Sequence, residues 1–225
     1  TINVVLSFVN SLLIAFYFGV SKELEIYFAG VTLFQLAQKL SHSGFLGEVY
    51  IPYLVKLRGS DEYNKFINSI LNILIVFCVF LVGILFLFAK PLMQILIPGF
   101  TEEEIEQAIK IYKIVLPLLS ITIINSFFGA ILQARRRFSV FEVGSFWGQL
   151  AGLILFISLV SKLGVLALLI SFAIAPIIKF VYSSIILTDI YNNYKFEILW
   201  REKIIRESIL KITPFIGYTI VTQGV

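Results

Sequence analysis

Charged residues and the side chains of catalysis are scarce in this chain. Its 225 residues include one histidine and one cysteine, and only 14% are Asp, Glu, Lys or Arg, against about 25% in soluble domains. Cys78 lies alone in an apolar run, so the chain offers no internal disulfide or cysteine-based metal site. The solitary His42 argues against histidine-based catalysis or zinc. Without a nucleophile paired with a base or a phosphate-cradling glycine loop, we expect no enzyme.

Apolar residues are abundant instead, at 59% of the chain, against about 45–50% in soluble domains. Residues 1–21, 66–89, 114–134 and 143–161 contain no charged side chain, and each run is long enough to cross a hydrocarbon core of about 30 Å as a helix. The runs 26–55 and 163–188 contain charged residues but are also counted as spans. Only with them do loops rich in basic residues alternate with loops that have few. We therefore predict an all-α polytopic membrane protein with helices at about 1–21, 26–55, 66–89, 108–134, 143–161 and 163–188.

Three regions follow from these runs. Residues 1–190 are assigned to a transmembrane lobe, and residues 191–211 to an amphipathic cytoplasmic linker helix whose regular part begins at Phe196. Residues 212–225 are assigned to the start of a seventh helix, cut off at Val225. We expect the chain to be a fragment.

Basic residues concentrate in alternate loops. The loops after the second, fourth and sixth spans carry Lys56, Arg58, Lys65, Arg135, Arg136, Arg137, Lys195, Arg201, Lys203, Arg206 and Lys211, and the other loops carry Lys22, Lys90 and Lys162, with Lys110 and Lys113 near one of them. By the positive-inside rule, the N-terminus and the loop 135–137 are expected in the cytoplasm. The triple arginine is then a topological anchor, for which lysine would serve as well, or a contact for anionic headgroups.

Two local patterns predict particular contacts. Gly144, Gly148 and Gly152 recur every fourth residue, which leaves one helix face bare and favours close approach of a neighbouring helix. Thr101 precedes three glutamates and is a predicted N-cap.

Polar residues inside the spans are costly in a membrane and therefore informative. A lysine at a helix centre costs about 2.5–3.5 kcal/mol on insertion scales. In the second span, helical spacing places Glu25, Thr32, Gln35, Lys39 and His42 on one stripe. Other spans contribute Asn3, Ser7, Asn10, Ser11, Thr122, Asn125, Ser126, Gln133 and Lys179. These stripes favour a bundle around a wet cavity, and hydrogen bonding in a dry bundle is the alternative.

Two blocks of sequence resemble the MurJ/MviN family of lipid II flippases. The stretch FGVSKELEIYFAGVTLFQLAQKLSHSGFLGEVYIPYL (residues 18–54) is similar to the region after the family's first helix, and PGF (98–100) and GAILQARRRF (129–138) are similar to a second block. The resemblance implies one lobe of a two-lobe transporter of the multidrug/oligosaccharidyl-lipid/polysaccharide exporter superfamily. This chain would be the six-helix N-terminal lobe plus the start of helix 7.

The sequence also differs from the family at several charged positions. Arginines of the family's first helix are replaced by Val4 and Asn10, and one arginine of a pair in the second helix by Gln38, whereas Lys39 keeps the other charge and Glu25 the acid. Fewer cations mean a weaker hold on a diphosphate.

We therefore expect a flippase for an undecaprenyl-diphosphate-linked glycan, lipid II first, that works by alternating access in the bacterial inner membrane. Lys39 would meet the phosphates, Glu25 would gate or form an ion pair, and Asn10 and Gln35 would bind sugar, with Lys179 as a further substrate-binding residue. The alternatives are another exporter of the superfamily, such as an O-antigen or teichoic-acid lipid flippase or a drug:cation antiporter, and a non-transporting scaffold.

The expected partners are membrane lipid and the anionic diphosphate lipid-linked glycan, with cell-wall synthesis proteins as further candidates. Nucleic acid is not expected, because the net charge of +4 is explained by the loops. No metal or cofactor is expected, and coupling to the membrane potential or to a monovalent ion stays open.

Overall fold

A computed structural model describes residues 2–42 and 45–211, and all regular structure in these ranges is helical. The helices are α1 (Ile2–Phe18), α2 (Lys22–His42), α3 (Phe45–Leu57), α4 (Glu62–Leu87), α5 (Ala89–Leu96), α6 (Glu102–Val115), α7 (Leu118–Ala134), α8 (Phe138–Leu163), α9 (Val165–Ile186), α10 (Thr188–Asn192) and α11 (Lys203–Leu210).

Within residues 2–42 and 45–211, four helical segments are long and apolar enough to cross a membrane. They are Glu62–Leu87, Glu102–Ala134, Phe138–Leu163 and Val165–Ile186. The apolar helix Asn3–Phe18 is shorter, and α2 has the length but carries four charged residues, Lys22, Glu23, Glu25 and Lys39.

The core of the bundle is built around α7, which packs against α2, α3, α4 and α9. Aromatic rings join these helices: Tyr50 meets Phe127 edge-on with ring centroids 5.4 Å apart, and Phe128 stacks on Phe180 at 5.7 Å. Such pairs add about 0.5–1.5 kcal/mol beyond the burial of their area. The aromatic content of the chain therefore holds the inner helices together.

Close packing of α8 on α9 depends on the predicted glycine face. A Cβ on Gly148 would collide with the carbonyl oxygen of Ala175, and one on Gly152 would lie 2.9 Å from the carbonyl oxygen of Ser171. The Ser171 hydroxyl donates to the carbonyl of Gly152 at 2.8 Å. The prediction of close helix approach is confirmed.

Polar side chains of different loops contact one another at each end of the bundle. Arg135, after α7, contacts Tyr63 at the start of α4 and Asp189 in α10. At the other end, Lys22 and Lys90 lie 3.4 and 3.7 Å from the carboxylates of Glu104 and Glu102. The loops after the second, fourth and sixth predicted spans thus lie together, and the loops after the first and third predicted spans lie together.

Helix boundaries differ from the predicted runs at several points. The run 26–55 comprises α2 and α3, and the run 108–134 comprises α6 and α7, which meet at Pro117. Helix α6 begins at Glu102, before the predicted membrane span 108–134, because Thr101 and Glu104 form a capping box, with the Thr101 amide 2.7 Å from the Glu104 carboxylate. The predicted N-cap is confirmed.

The predicted amphipathic helix from Phe196 is correct only from Lys203 onward, where α11 begins. The preceding residues are not helical, because side chains of α4 occupy their backbone groups, as described below. The predicted start of a seventh helix, 212–225, lies outside the described residues.

Candidate functional site

A cavity with polar groups in a mostly apolar wall lies between α1, α2, α7, α8 and α9. It consists of a chamber of about 360 Å³ and an adjoining chamber of about 200 Å³, and both are lined by Gln38, Thr122, Gln149, Ala175 and Pro176. We call the two together the intrabundle cavity. Its volume suits a small ligand, since ligand sites usually measure about 300–1,000 Å³.

Several acceptors in the cavity wall have no donor. The side-chain carbonyl oxygens of Asn10, Asn125 and Gln149 are buried and accept no hydrogen bond from the described residues. Asn125 is only 3% exposed, and its amide nitrogen donates to the carbonyl of Pro176 at 3.1 Å. An unsatisfied buried acceptor costs about 1–3 kcal/mol. Donors from water or a ligand are therefore needed inside the cavity.

Pro176 leaves a backbone carbonyl of α9, that of Phe172, without its helical donor. It lies within α9 and has no N–H, so the carbonyl of Phe172, one turn earlier, loses its usual helical donor. Both residues line the larger chamber.

Lys179 places a positive charge at the smaller chamber. Its ammonium lies 3.5 Å from the centroid of the Phe141 ring, which also lines that chamber. Among the described residues, no carboxylate comes within ion-pair distance of it. Glu142 attracts it electrostatically, but Glu142 is exposed and accepts a hydrogen bond from Asn3 at 3.2 Å.

A second polar surface lies on the outside of the bundle. Glu25, Thr32, Gln35 and Lys39 are all exposed on α2, and we call this set the exposed α2 face. Glu25 forms an ion pair with Lys22 at 3.1 Å within the same helix. The side chain of His42, the last member of the predicted stripe, lies outside the described residues.

The three consecutive arginines have different surroundings. Arg135 makes a two-pronged ion pair with Asp189, with distances of 2.9 and 2.7 Å, and its Nε donates to the Tyr63 hydroxyl at 3.1 Å. The hydrogen bond from Arg135 lowers the pKa of Asp189. Burial acts to lower the pKa of Arg135, but Asp189 and Tyr63 outweigh it and raise the value. Arg136 and Arg137 are exposed.

Buried polar residues of α4 hold the segment that leads to α11. Asn68 donates to the carbonyl of Asn193 at 3.0 Å, and Asn72 donates to the carbonyls of Lys195 and Glu197 at 3.2 and 3.0 Å. The Tyr194 hydroxyl donates to the side-chain oxygen of Asn72, and the amide of Leu199 donates to Ser69. We call Asn68, Ser69 and Asn72 the linker clamp.

The comparison with protein-family models matches residues 14–223 to the family described as Lipid II flippase MurJ. The chain belongs to the MurJ family. It is therefore a multi-pass inner-membrane protein of a transporter family, and the all-α polytopic prediction and the predicted family resemblance are both confirmed.

Individual relatives agree with this assignment. A probable lipid II flippase MurJ of Buchnera aphidicola subsp. Baizongia pistaciae is 30% identical over 162 residues, which are 70% of this chain and 31% of the relative. The lipid II flippase MurJ of Thermosipho africanus is 26% identical over 200 residues, which are 86% of this chain and 40% of the relative.

A solved structure of lipid II flippase MurJ in an inward closed conformation has the same fold. It matches with a TM-score of 0.74 at 23% identity, covering 99% of this chain and 46% of that one. The chain thus spans less than half the length of each of these MurJ proteins.

The structure divides the predicted site residues between two surfaces. Asn10 and Lys179 line the intrabundle cavity, whereas Glu25, Gln35 and Lys39 lie on the exposed α2 face. The expectation that all the polar stripes enclose one cavity within the bundle is wrong for α2, because the face of α2 turned inward carries Tyr27, Phe34 and Gln38. Whether these residues bind substrate stays a prediction.

Sequence reasoning missed several functional candidates. Gln149, Ser145 and Ser171 line the cavity but were not among the polar residues selected from the sequence, because each is flanked by apolar residues or glycine. The linker clamp was also missed, although its members, Asn68, Ser69 and Asn72, lie at helical spacing on one side of α4.

Proposed function

We propose that this chain is the N-terminal lobe of a flippase that translocates an undecaprenyl-diphosphate-linked glycan, lipid II first, across the inner membrane. The observation that carries the proposal is membership of the MurJ family across residues 14–223. Relatives that bear the flippase name are longer than this chain. The proposed activity is therefore that of a whole transporter of this family, and this chain matches part of its length.

The exposed α2 face supports a role at the interface between the lobes. Lys39 is exposed within a helix of a membrane protein and has no ion-pair partner among the described residues. A charge at such a position is tolerated where it meets water or an anion. The diphosphate of a lipid-linked glycan supplies that anion, while the lipid tail stays in the bilayer and the lobes rock to expose the headgroup on alternate sides.

A less anionic cargo is the second candidate. The positions at which the family resemblance implies cations carry Val4, Asn10 and Gln38 in this chain. Fewer charge-assisted hydrogen bonds weaken diphosphate binding. An exporter of the same superfamily with a different cargo would account for the neutral residues. Coupling to the membrane potential or to a monovalent ion belongs to either candidate.

Complementation distinguishes the two candidates. The complete gene that encodes this chain is expressed in a strain depleted of its essential lipid II flippase, with an epitope tag to verify insertion in the membrane. Lipid II transport predicts restored growth. Membrane insertion without growth would favour the exporter of a different cargo.

The proposed orientation places the N-terminus and the loop 135–137 in the cytoplasm. Single cysteines replacing Ser139 and Glu103, which lie at opposite ends of the bundle, report it through a membrane-impermeant thiol reagent. We expect Glu103→Cys to react from outside the cell and Ser139→Cys only after the membrane is opened. The reverse pattern would invert the topology.

A further inference from the structure

The chain between α10 and α11 lies against α4 as irregular backbone. We call residues 193–202 the linker segment, of which residues 194–199 have no regular structure. Side chains of the linker clamp bind its backbone through four hydrogen bonds, three to carbonyls and one from an amide. These contacts fix the linker segment on the surface of the bundle.

The linker clamp lies where the edge of the hydrocarbon crosses α4. This helix ends at Leu87, and a hydrocarbon core of about 30 Å takes about 20 helical residues. Counted back from Leu87, the hydrocarbon reaches Asn68, and Asn72 lies one turn further in. Irregular backbone at this depth needs protein partners for its polar groups, because lipid tails offer none. The hydrogen bonds of the linker clamp meet that need at the level of the membrane interface.

The outward side of the linker segment is aromatic. Phe196 and Trp200 are 70% and 68% exposed, and Ile198 between them is 39% exposed. On the inward side, the Tyr194 hydroxyl bonds to the linker clamp, and Leu199 packs against the core. Large apolar side chains that a fixed backbone holds outward mark a surface that meets lipid or another protein.

The charges of the linker segment cancel one another. Lys195 and Arg201 are exposed and form no ion pair within the described ranges, while Glu197 and Glu202 supply two negative charges. An acidic partner is therefore not favoured by charge. The aromatic rings decide the partner instead, because tryptophan combines an apolar ring with a polar N–H and is enriched at the interface between lipid and water.

We propose that the linker segment anchors this lobe in a phospholipid leaflet, with Phe196 and Trp200 inserted where the headgroups meet the acyl chains. The leaflet is the one at the Arg135 end of the bundle, where α4 begins. Long basic side chains such as Lys195 reach the lipid phosphates from this level. The inference goes beyond the proposed function, because it holds whichever cargo the transporter carries.

The fluorescence of Trp200 in the full-length protein measures its depth. The protein is held in phosphatidylcholine nanodiscs, and the emission of Trp200→Phe is subtracted from that of the unmodified protein, which isolates Trp200. We expect bromine near the carbonyl end of the acyl chains to quench this emission more strongly than bromine in the terminal half. Replacing part of the lipid by phosphatidylglycerol should leave the quenching unchanged, since the net charge of the linker segment is zero.

Nitroxide labels test both aromatic positions without relying on tryptophan. In a cysteine-free background, labels at Phe196→Cys and Trp200→Cys are compared with two references. Phe80→Cys is the lipid reference, because Phe80 is 67% exposed near the middle of the α4 span, and Glu103→Cys is the aqueous reference in the exposed first turn of α6. Oxygen concentrates in lipid and a nickel chelate in water, so we expect both linker labels to have collision ratios between those of the references.

Three results would overturn the inference. Linker labels as accessible to the nickel chelate as Glu103→Cys would place the segment in water. Shielding of both labels from both reagents would place it under another protein surface, such as a second lobe. Quenching of Trp200 that appears only with phosphatidylglycerol would show attraction to acidic lipid in place of aromatic insertion. None of these results bears on the proposed function, which the complementation experiment tests separately.

Discussion

Replacing Asn72 by alanine should release the segment before α11 from the bundle. Asn72 is fully buried in α4 and makes three hydrogen bonds to this segment, two to backbone carbonyls and one from the Tyr194 hydroxyl. At a net value of about 1 kcal/mol for each bond, the docked state loses about 3 kcal/mol. Since 1.4 kcal/mol is a factor of ten, the undocked population should rise by about 100-fold.

Hydrogen exchange measures this change directly. In the full-length protein held in lipid nanodiscs, amide protection across residues 193–199 should fall in Asn72→Ala while protection in α7 stays unchanged. Asn64→Ala is the matched control, because Asn64 lies two turns earlier on α4, is exposed and forms no side-chain hydrogen bond with the part of the chain that the structure describes. Unchanged exchange at 193–199 in Asn72→Ala would refute the linker clamp.

Two further substitutions test the loop and the helix contact. Arg135→Lys should lower the thermal stability of the protein by about 1 kcal/mol, because lysine cannot keep both bonds to Asp189, and exposed Arg136→Lys should not. Since the pKa of Asp189 is lowered, this difference should be present near neutral pH and fade as the pH falls below 3.8. Gly148→Ala should destabilise the α8 and α9 contact, measured as a lower unfolding temperature, whereas Gly83→Ala in open space should not. Equal effects of the two members of either pair would contradict the packing described.

Composition and spacing predict much of this fold because they act locally. Three of the four uncharged runs, 66–89, 114–134 and 143–161, fall largely within helical segments long and apolar enough to cross a membrane. Gly148 and Gly152 predict the close pair α8 and α9, and Thr101 predicts the start of α6. Each of these depends on residues within one helix or at its end.

The candidate site was harder to predict because it depends on which helix faces meet. Lys39 and Gln38 are neighbours in sequence, yet Gln38 lines the cavity and Lys39 is exposed. A period of 3.6 residues groups the polar residues of α2 but does not say which side the other helices cover. The triple arginine shows the same limit, because the ion pair of Arg135 requires Asp189, which lies far away in the sequence.

Transport of lipid II by the full-length protein in reconstituted vesicles tests the central proposal most directly. Lys39→Met should keep the protein inserted, since an apolar side chain is favoured in a membrane helix, but should slow flipping by at least about tenfold through loss of a charge-assisted contact. Lys39→Arg should remain active, and Lys162→Met, exposed at the end of α8, should behave as the unmodified protein. Normal flipping by Lys39→Met would contradict the assignment of the exposed α2 face to the diphosphate, and no flipping by the unmodified protein would contradict the proposed function itself.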